Sequence, residues 1–243
     1  MNVTIAGLGL IGGSLGKALR RQGWRVVYLD PAVSIEDAGD AADERLESSG
    51  GELVVLAAPV DASIRMLHEL RGSTATVTSV CSVMAPLVDA AKGVRFIAGH
   101  PFAGSERAGI SAARPDLFEG KPWFLDAHDA QIEQMVRDAG AEPVYLDARQ
   151  HDDIVALTSH LPQLLATALA SLIEHRHIDE RFLGSGVRSM LRLAGSSYDV
   201  WRPVLESNEE NIRSCLAELE ETMRAISADD FDRARQLYER IAK

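Results

Sequence analysis

Short runs of apolar and β-branched residues punctuate the first 146 positions, at 3–6, 25–29, 53–57, 75–79, 95–98, 123–125 and 143–146. Between several of them, over 10–22, 62–70 and 131–139, apolar residues recur every three or four positions, the period of a helix with one buried face. This alternation predicts α/β layering around a mainly parallel sheet. The stretch 31–51 breaks the rhythm, being acidic and small-residue-rich with Leu46 its only large apolar residue after Ile35. The sheet is expected to be trimmed there.

Beyond 147 the strand pattern stops. "IVALTSHLPQLLATALASLI" (154–173) is apolar on every side, which predicts a buried helix. Val204, Ile212, Leu216, Leu219, Met223 and Ile226 then recur at helical spacing, interrupted by Asn208. The expected division is 1–147 and an all-helical 148–243. So hydrophobic a helix in so small a domain is expected to complete its burial in a second copy of the chain, as a homodimer.

The first run leads into "GLGLIGGSLG", with Gly7, Gly9 and Gly12 in G-x-G-x-x-G spacing between a strand and a helix. Gly7 would permit the turn, Gly9 the approach of a pyrophosphate and Gly12 close helix packing, while the N–H groups around Leu10 and Ile11 open the helix as an anion site. Asp30, at the end of the second strand, is placed to take ribose hydroxyls. This predicts a Rossmann-like dinucleotide-binding domain. Asp30 also opposes a 2′-phosphate, since unit charges 4 Å apart repel by about 4 kcal/mol at an effective dielectric of 20. Residues 31–34 hold no arginine to offset it, so NAD is the expected cofactor.

Charge narrows the partners. Lys and Arg number 25 against 36 Asp and Glu, a net −11, which disfavours nucleic acid and anionic membrane surfaces. No apolar stretch approaches about 20 uninterrupted residues, so no membrane span is expected, and the first residues carry no signal-peptide pattern. Cys81 and Cys215 form no CxxC motif, and a reducing cytoplasm suits them.

Arg188 and Arg192, in "GSGVRSMLRLAG", stand at i, i+4 on a short glycine-bounded helix, where they could grip two carboxylates. Spacing alone favours solvated arginines, and the neighbouring Trp201 tilts the balance towards a cleft. His160 sits in the apolar helix before Pro162, either as a core histidine or as a site-lining donor. His175 and His177, and the cluster His151, Asp152 and Asp153, lack a third ligand at metal spacing and read as solvated surface, with no metal expected.

Together, "GLGLIGGSL", "SVCSV", "GHPFAGSERAG", "HDDIVALTSHLP" and "GVRSMLRLA…W" resemble, in order and over nearly the whole chain, the prephenate/arogenate dehydrogenase family of tyrosine biosynthesis. That family joins a Rossmann-like domain to a helical dimerisation domain. The resemblance implies NAD(P)-dependent oxidative decarboxylation of a small dianionic cyclohexadienyl substrate, with hydride leaving C4 and the ring carboxylate leaving as CO2. It implies His100 as the catalytic histidine at the C4 hydroxyl and Ser82 beside the nicotinamide. Arg192 would hold the ring carboxylate, Arg188 would stand near the side-chain end, and His160 would line the cleft.

The chain departs from the family pattern at Ser79 and Met84, where an acid and a lysine are common around Ser82, at Ser189 for Asp, and at Gln163 for His. Charge lost there could redirect preference to arogenate or a 4-amino analogue. A carboxylate at the side-chain end would decide, and Asp89 and Glu106 are candidates. No regulatory module is expected after the helices. A non-catalytic NAD or metabolite sensor is the alternative from another class. A reductase using a helical-domain lysine fits poorly, since Lys243 is the only lysine there.

Overall fold

The structure is a computed structural model of the 243-residue chain, describing every residue except Ser49, Glu106 and Lys243. The roles considered above for Glu106 and Lys243 therefore lie outside the described residues.

Six parallel strands form the main sheet: β1 (Asn2–Ala6), β2 (Arg25–Leu29), β3 (Glu44–Arg45), β4 (Leu53–Leu56), β5 (Thr76–Ser79) and β6 (Arg95–Ile97). Their order is β3-β2-β1-β4-β5-β6, so the strand order reverses between β1 and β4, where open α/β sheets take their ligands. Helices α1 (Leu10–Arg21), α2 (Ile35–Ala38), α3 (Val60–Glu69) and α4 (Ala85–Ala90) make the crossovers. One face of the sheet buries Ile5, Leu15, Leu19 and Tyr28, and the other Val54, Leu56, Leu67 and Leu87. The trimmed edge proves to be a minimal unit rather than a gap. One turn of α2 and a 3-10 turn lead into the two-residue β3, which pairs Val27 with Glu44 and Tyr28 with Arg45.

The later strands do not extend that sheet. After β6 the chain passes through Ala98 into β7 (Gly99–Pro101), antiparallel to β8 (Pro122–Leu125), which pairs in parallel with β9 (Glu142–Tyr145). Helix α5 (Ala130–Asp138) joins β8 to β9, capped by the Asp129 carboxylate. Gly99 makes the change of sheet possible, because a Cβ there would meet the Ser79 carbonyl oxygen at 2.7 Å. Ser79 Oγ bonds both the N–H and the C=O of Gly99, fixing the strand that carries His100.

The helical part comprises α6 (Ala148–Val155), a π turn over Ala156–His160, α7 (Leu161–His175), α8 (Ser185–Met190), α9 (Tyr198–Ser207), α10 (Glu209–Arg224) and α11 (Ala228–Ile241). The expectation of a buried helix over 154–173 is corrected: within one chain α7 buries only Leu161, Gln163 and Ala166, leaving Leu165 and Leu172 exposed. Too few elements of its own chain pack against it. Residues 148–175 run on as one helix that by length and composition alone is long and apolar enough to cross a membrane. Between 151 and 163, however, it carries His151, Asp152, His160 and Gln163 into the protein interior.

Candidate active site

The glycine loop leaves β1 at the switch point. Gly7 adopts φ +100° and lies so close to β4 that a Cβ would meet the Ala57 carbonyl oxygen at 2.5 Å. Gly9, the N-cap of α1, faces open space and has no side-chain cap, so the first N–H groups of the helix, at Leu10, Ile11 and Gly12, remain available to an anion. Asp30 braces this loop, accepting from the N–H of Leu8 and of Ala32, both at 2.8 Å. A carboxylate has about four acceptor positions, so two remain for a diol. An open cradle beside an uncapped helix start and a carboxylate fits a dinucleotide. Residues 31–34 hold no arginine, and β3 brings Arg45 alongside them, its guanidinium donating to the Pro31 carbonyl at 3.5 Å.

His100 lies buried in β7, at the C-terminal end of the main sheet, edge-on to Phe102 with Phe124 beside it. Burial, then the neighbouring His151 and His160, push its pKa down to about 3, so the imidazole is neutral. Its Nδ1 sits 2.9 Å from His151 Nε2, and His151 Nδ1 sits 2.8 Å from Asp152 Oδ1. The Asp152 carboxylate also accepts from the Met84 N–H at 2.8 Å and the Ala85 N–H at 2.9 Å, at the start of α4. The surface reading of the 151–153 cluster is therefore corrected. Asp153 is exposed, but His151 and Asp152 are fully buried and join the helical part to the sheet part. A sequence signal existed: 148, 151, 152, 155 and 156 form one buried helical face, and two polar residues occupy it.

His160, at the end of the π turn, is buried against Trp201. Burial lowers its pKa to about 4, against the opposing pull of the Asp152 charge. Asn208, an interruption in the apolar pattern, directs its amide to the Asp152 carbonyl at 2.7 Å and to His160 Nδ1 at 3.2 Å. With Nδ1 accepting, the proton lies on His160 Nε2, which has no partner among the described residues.

Ser82 is half-buried in the loop between β5 and α4. The two departures around it do not strip charge from an open cleft: Ser79 is fully buried on Gly99, and Met84 packs its side chain with Ala98 and Ala148. Asp89 is on the surface, held at 3.0 Å by Arg149 through both carboxylate oxygens. The arginine pair is not one α-helical face, because α8 ends at Met190 and tightens to 3-10 over Leu191–Gly195. The exposed Arg188 guanidinium donates to the carbonyls of Leu183 at 2.8 Å and Glu180 at 2.9 Å. Arg192 is exposed and makes no ion pair among the described residues. His175 and His177 are exposed.

The reversed parallel sheet, the glycine loop with its acidic partner and the appended helices define a two-domain dinucleotide-binding protein of the dehydrogenase type. Residues 15–141 match the model of the prephenate dehydrogenase nucleotide-binding domain, and residues 147–240 that of the prephenate dehydrogenase dimerization domain. The chain belongs to the prephenate dehydrogenase family.

It is 31% identical to the prephenate dehydrogenase of Bacillus subtilis (strain 168), with 86% of this chain and 65% of that protein covered. It is 33% identical to the Streptomyces niveus protein named "Probable prephenate dehydrogenase NovF", covering 93% of this chain and 70% of that one. Among solved structures it is similar to Aquifex aeolicus prephenate dehydrogenase in complex with hydroxyphenyl propionate and NAD+, at TM-score 0.85 and 29% identity, covering 100% of this chain and 95% of that one. The chain spans 65% of the length of the Bacillus relative.

Proposed function

We propose that this chain is an NAD-dependent dehydrogenase that oxidatively decarboxylates prephenate to 4-hydroxyphenylpyruvate. The observation that carries the reading is His100: a buried, neutral imidazole at the carboxyl end of a dinucleotide-binding sheet. Residues 1–147 bind the dinucleotide, with Gly7, Gly9, Leu10, Ile11 and Gly12 around the pyrophosphate and Asp30 on the ribose diol. NAD bound there supplies the hydride acceptor.

Positive charge develops at the C4 hydroxyl as hydride leaves. His100 takes up that proton, an interaction stronger in the transition state than in the ground state. Ser82 lies beside the same hydroxyl, Arg192 receives the ring carboxylate, and His160 donates through Nε2 to the bound substrate. Arg188, which also bonds the turn before α8, stands near the side-chain end of the substrate. Residues 148–243 form the substrate and dimerisation domain of a cytoplasmic homodimer, supported by the exposed apolar residues of α7, α10 and α11.

The test is absorbance at 340 nm with NAD and prephenate, then arogenate. Turnover of prephenate is expected. Turnover of arogenate alone would reassign the substrate, and NAD binding with no turnover of either would replace the enzyme by a sensor.

A further inference from the structure

We propose that His151 and Asp152 are positioning residues for this reaction, holding His100 as the Nδ1–H tautomer so that bare Nε2 meets the substrate hydroxyl. The inference rests on the dehydrogenase reading for its function, but its geometry stands alone. An ionised carboxylate only accepts hydrogen bonds, so the proton between Asp152 Oδ1 and His151 Nδ1, 2.8 Å apart, belongs to the imidazole. A neutral His151 then has its lone pair on Nε2. The atom 2.9 Å away, His100 Nδ1, must be the donor. That leaves the acceptor lone pair of His100 on Nε2, which the network does not use.

The far end of the wire is equally fixed. Asp152 is clamped by the N–H groups of Met84 and Ala85 at the start of α4, and its carbonyl by Asn208. Each link is buried, and Phe124 lies edge-on against His151 at 5.3 Å. The wiring has the logic of the Asp that orients the histidine of a Ser-His-Asp triad, with one more imidazole in the line.

The arrangement also answers the charge that moves. As hydride leaves C4 for the nicotinamide, the hydroxyl proton passes from oxygen to His100 Nε2, and the resulting imidazolium donates through Nδ1 towards His151 and the Asp152 charge. When the bond from C1 to the carboxylate breaks and CO2 departs, its electron pair enters the ring. The phenolic oxygen then takes the proton back. No net proton is released, and the wire ends each turnover as it began.

The experiment combines 15N NMR of the histidine rings with steady-state kinetics on the full chain, for the wild type, His151→Phe and Asp152→Asn. His151→Phe leaves both backbone clamps on Asp152 in place, so it serves if loss of the α4 clamp prevents Asp152→Asn from folding. In the ligand-free wild type, His100 should carry its proton on Nδ1. In His151→Phe it should become a tautomer mixture, with kcat lower by about ten-fold or more and KM for prephenate changed by less than about three-fold. A merely structural role would reduce folded protein without moving the tautomer or splitting kcat from KM. A wild-type proton on His100 Nε2 would overturn the proposal. So would a His151→Phe variant keeping the wild-type tautomer, or keeping the wild-type kcat. If the wild type turns over no cyclohexadienyl substrate, the dehydrogenase reading fails by itself, and the NMR result still decides whether the wire sets the tautomer.

Discussion

The sheet-bearing part and the helical part of this chain treat apolar surface in opposite ways. In the former, Trp123, Phe118, Ile5 and Leu53 are sealed within the chain, and strands and helices satisfy one another. In the latter, Leu172, Met223, Phe231 and Tyr238 stand more than half exposed on helices that are otherwise regular. The first part is finished by its own fold. The second leaves apolar surface uncovered within one chain, over the region that matches the dimerization-domain model. The candidate site straddles the two, with His100 on a strand and His151 and Asp152 on a helix, so site geometry inherits the stability of both.

The comparison can be broken at several points. The largest effect should come from His100→Ala, with kcat falling about 10²–10⁴-fold and KM little changed, read by initial rates at saturating NAD. Arg192→Ala should instead raise KM for prephenate by about ten-fold or more through loss of a charge-assisted pair, with the smaller change in kcat. Equal, small effects from both would mean that neither part carries the chemistry.

Trp123→Ala should cost about 3–5 kcal/mol in a denaturant titration, whereas Phe231→Ala should cost less than about 0.5 in the monomer. Comparable losses would remove the contrast in burial. Acid should then weaken the site that joins the parts. His100 and His160 are held neutral, with pKa values pushed down to about 3 and about 4, while the unfolded chain titrates them near their ordinary value of 6.5. The unfolded state therefore binds more protons below about pH 6.5. Their contribution to stability is full above that pH and is lost progressively as pH falls towards the folded values. Melting temperature should drop by several degrees between pH 7.5 and 5, and His160→Gln should flatten the slope. The smallest change is in assembly: Leu172→Asp should leave the chain folded but shift sedimentation from dimer to monomer. A wild type that sediments as a monomer at micromolar concentration would overturn the homodimer itself.

Periodicity made the main sheet legible, because strands buried on both faces read as continuous apolar runs and their helices as amphipathic ones. The glycine loop and Asp30 were legible from spacing within that context. Strand β7 was not, since three residues including a histidine and a proline carry no alternation and pair only because Gly99 lets the backbone pass Ser79. His151 and Asp152 were misread because adjacent polar residues suggest solvent, and the groups that repay their burial lie some 50 to 70 residues away in sequence. The common face expected of Arg188 and Arg192 failed for a related reason. Spacing of i, i+4 fixes a face only while the helix stays α, and here it tightens before Arg192.

The π turn over Ala156–His160 bears on which lengths of chain this protein can tolerate. His151 and His160 are nine positions apart, which in an unbroken α-helix is two and a half turns and would aim them to opposite sides. The wider turn absorbs part of that rotation, and both rings end inside the protein. Deleting one residue, for example the exposed Leu157, would rotate everything downstream by about 100°. His160 would swing away from Asn208, and the outward face of α7 would be re-aimed with it. The length of chain between the two histidines is therefore constrained more tightly than the identity of its exposed residues.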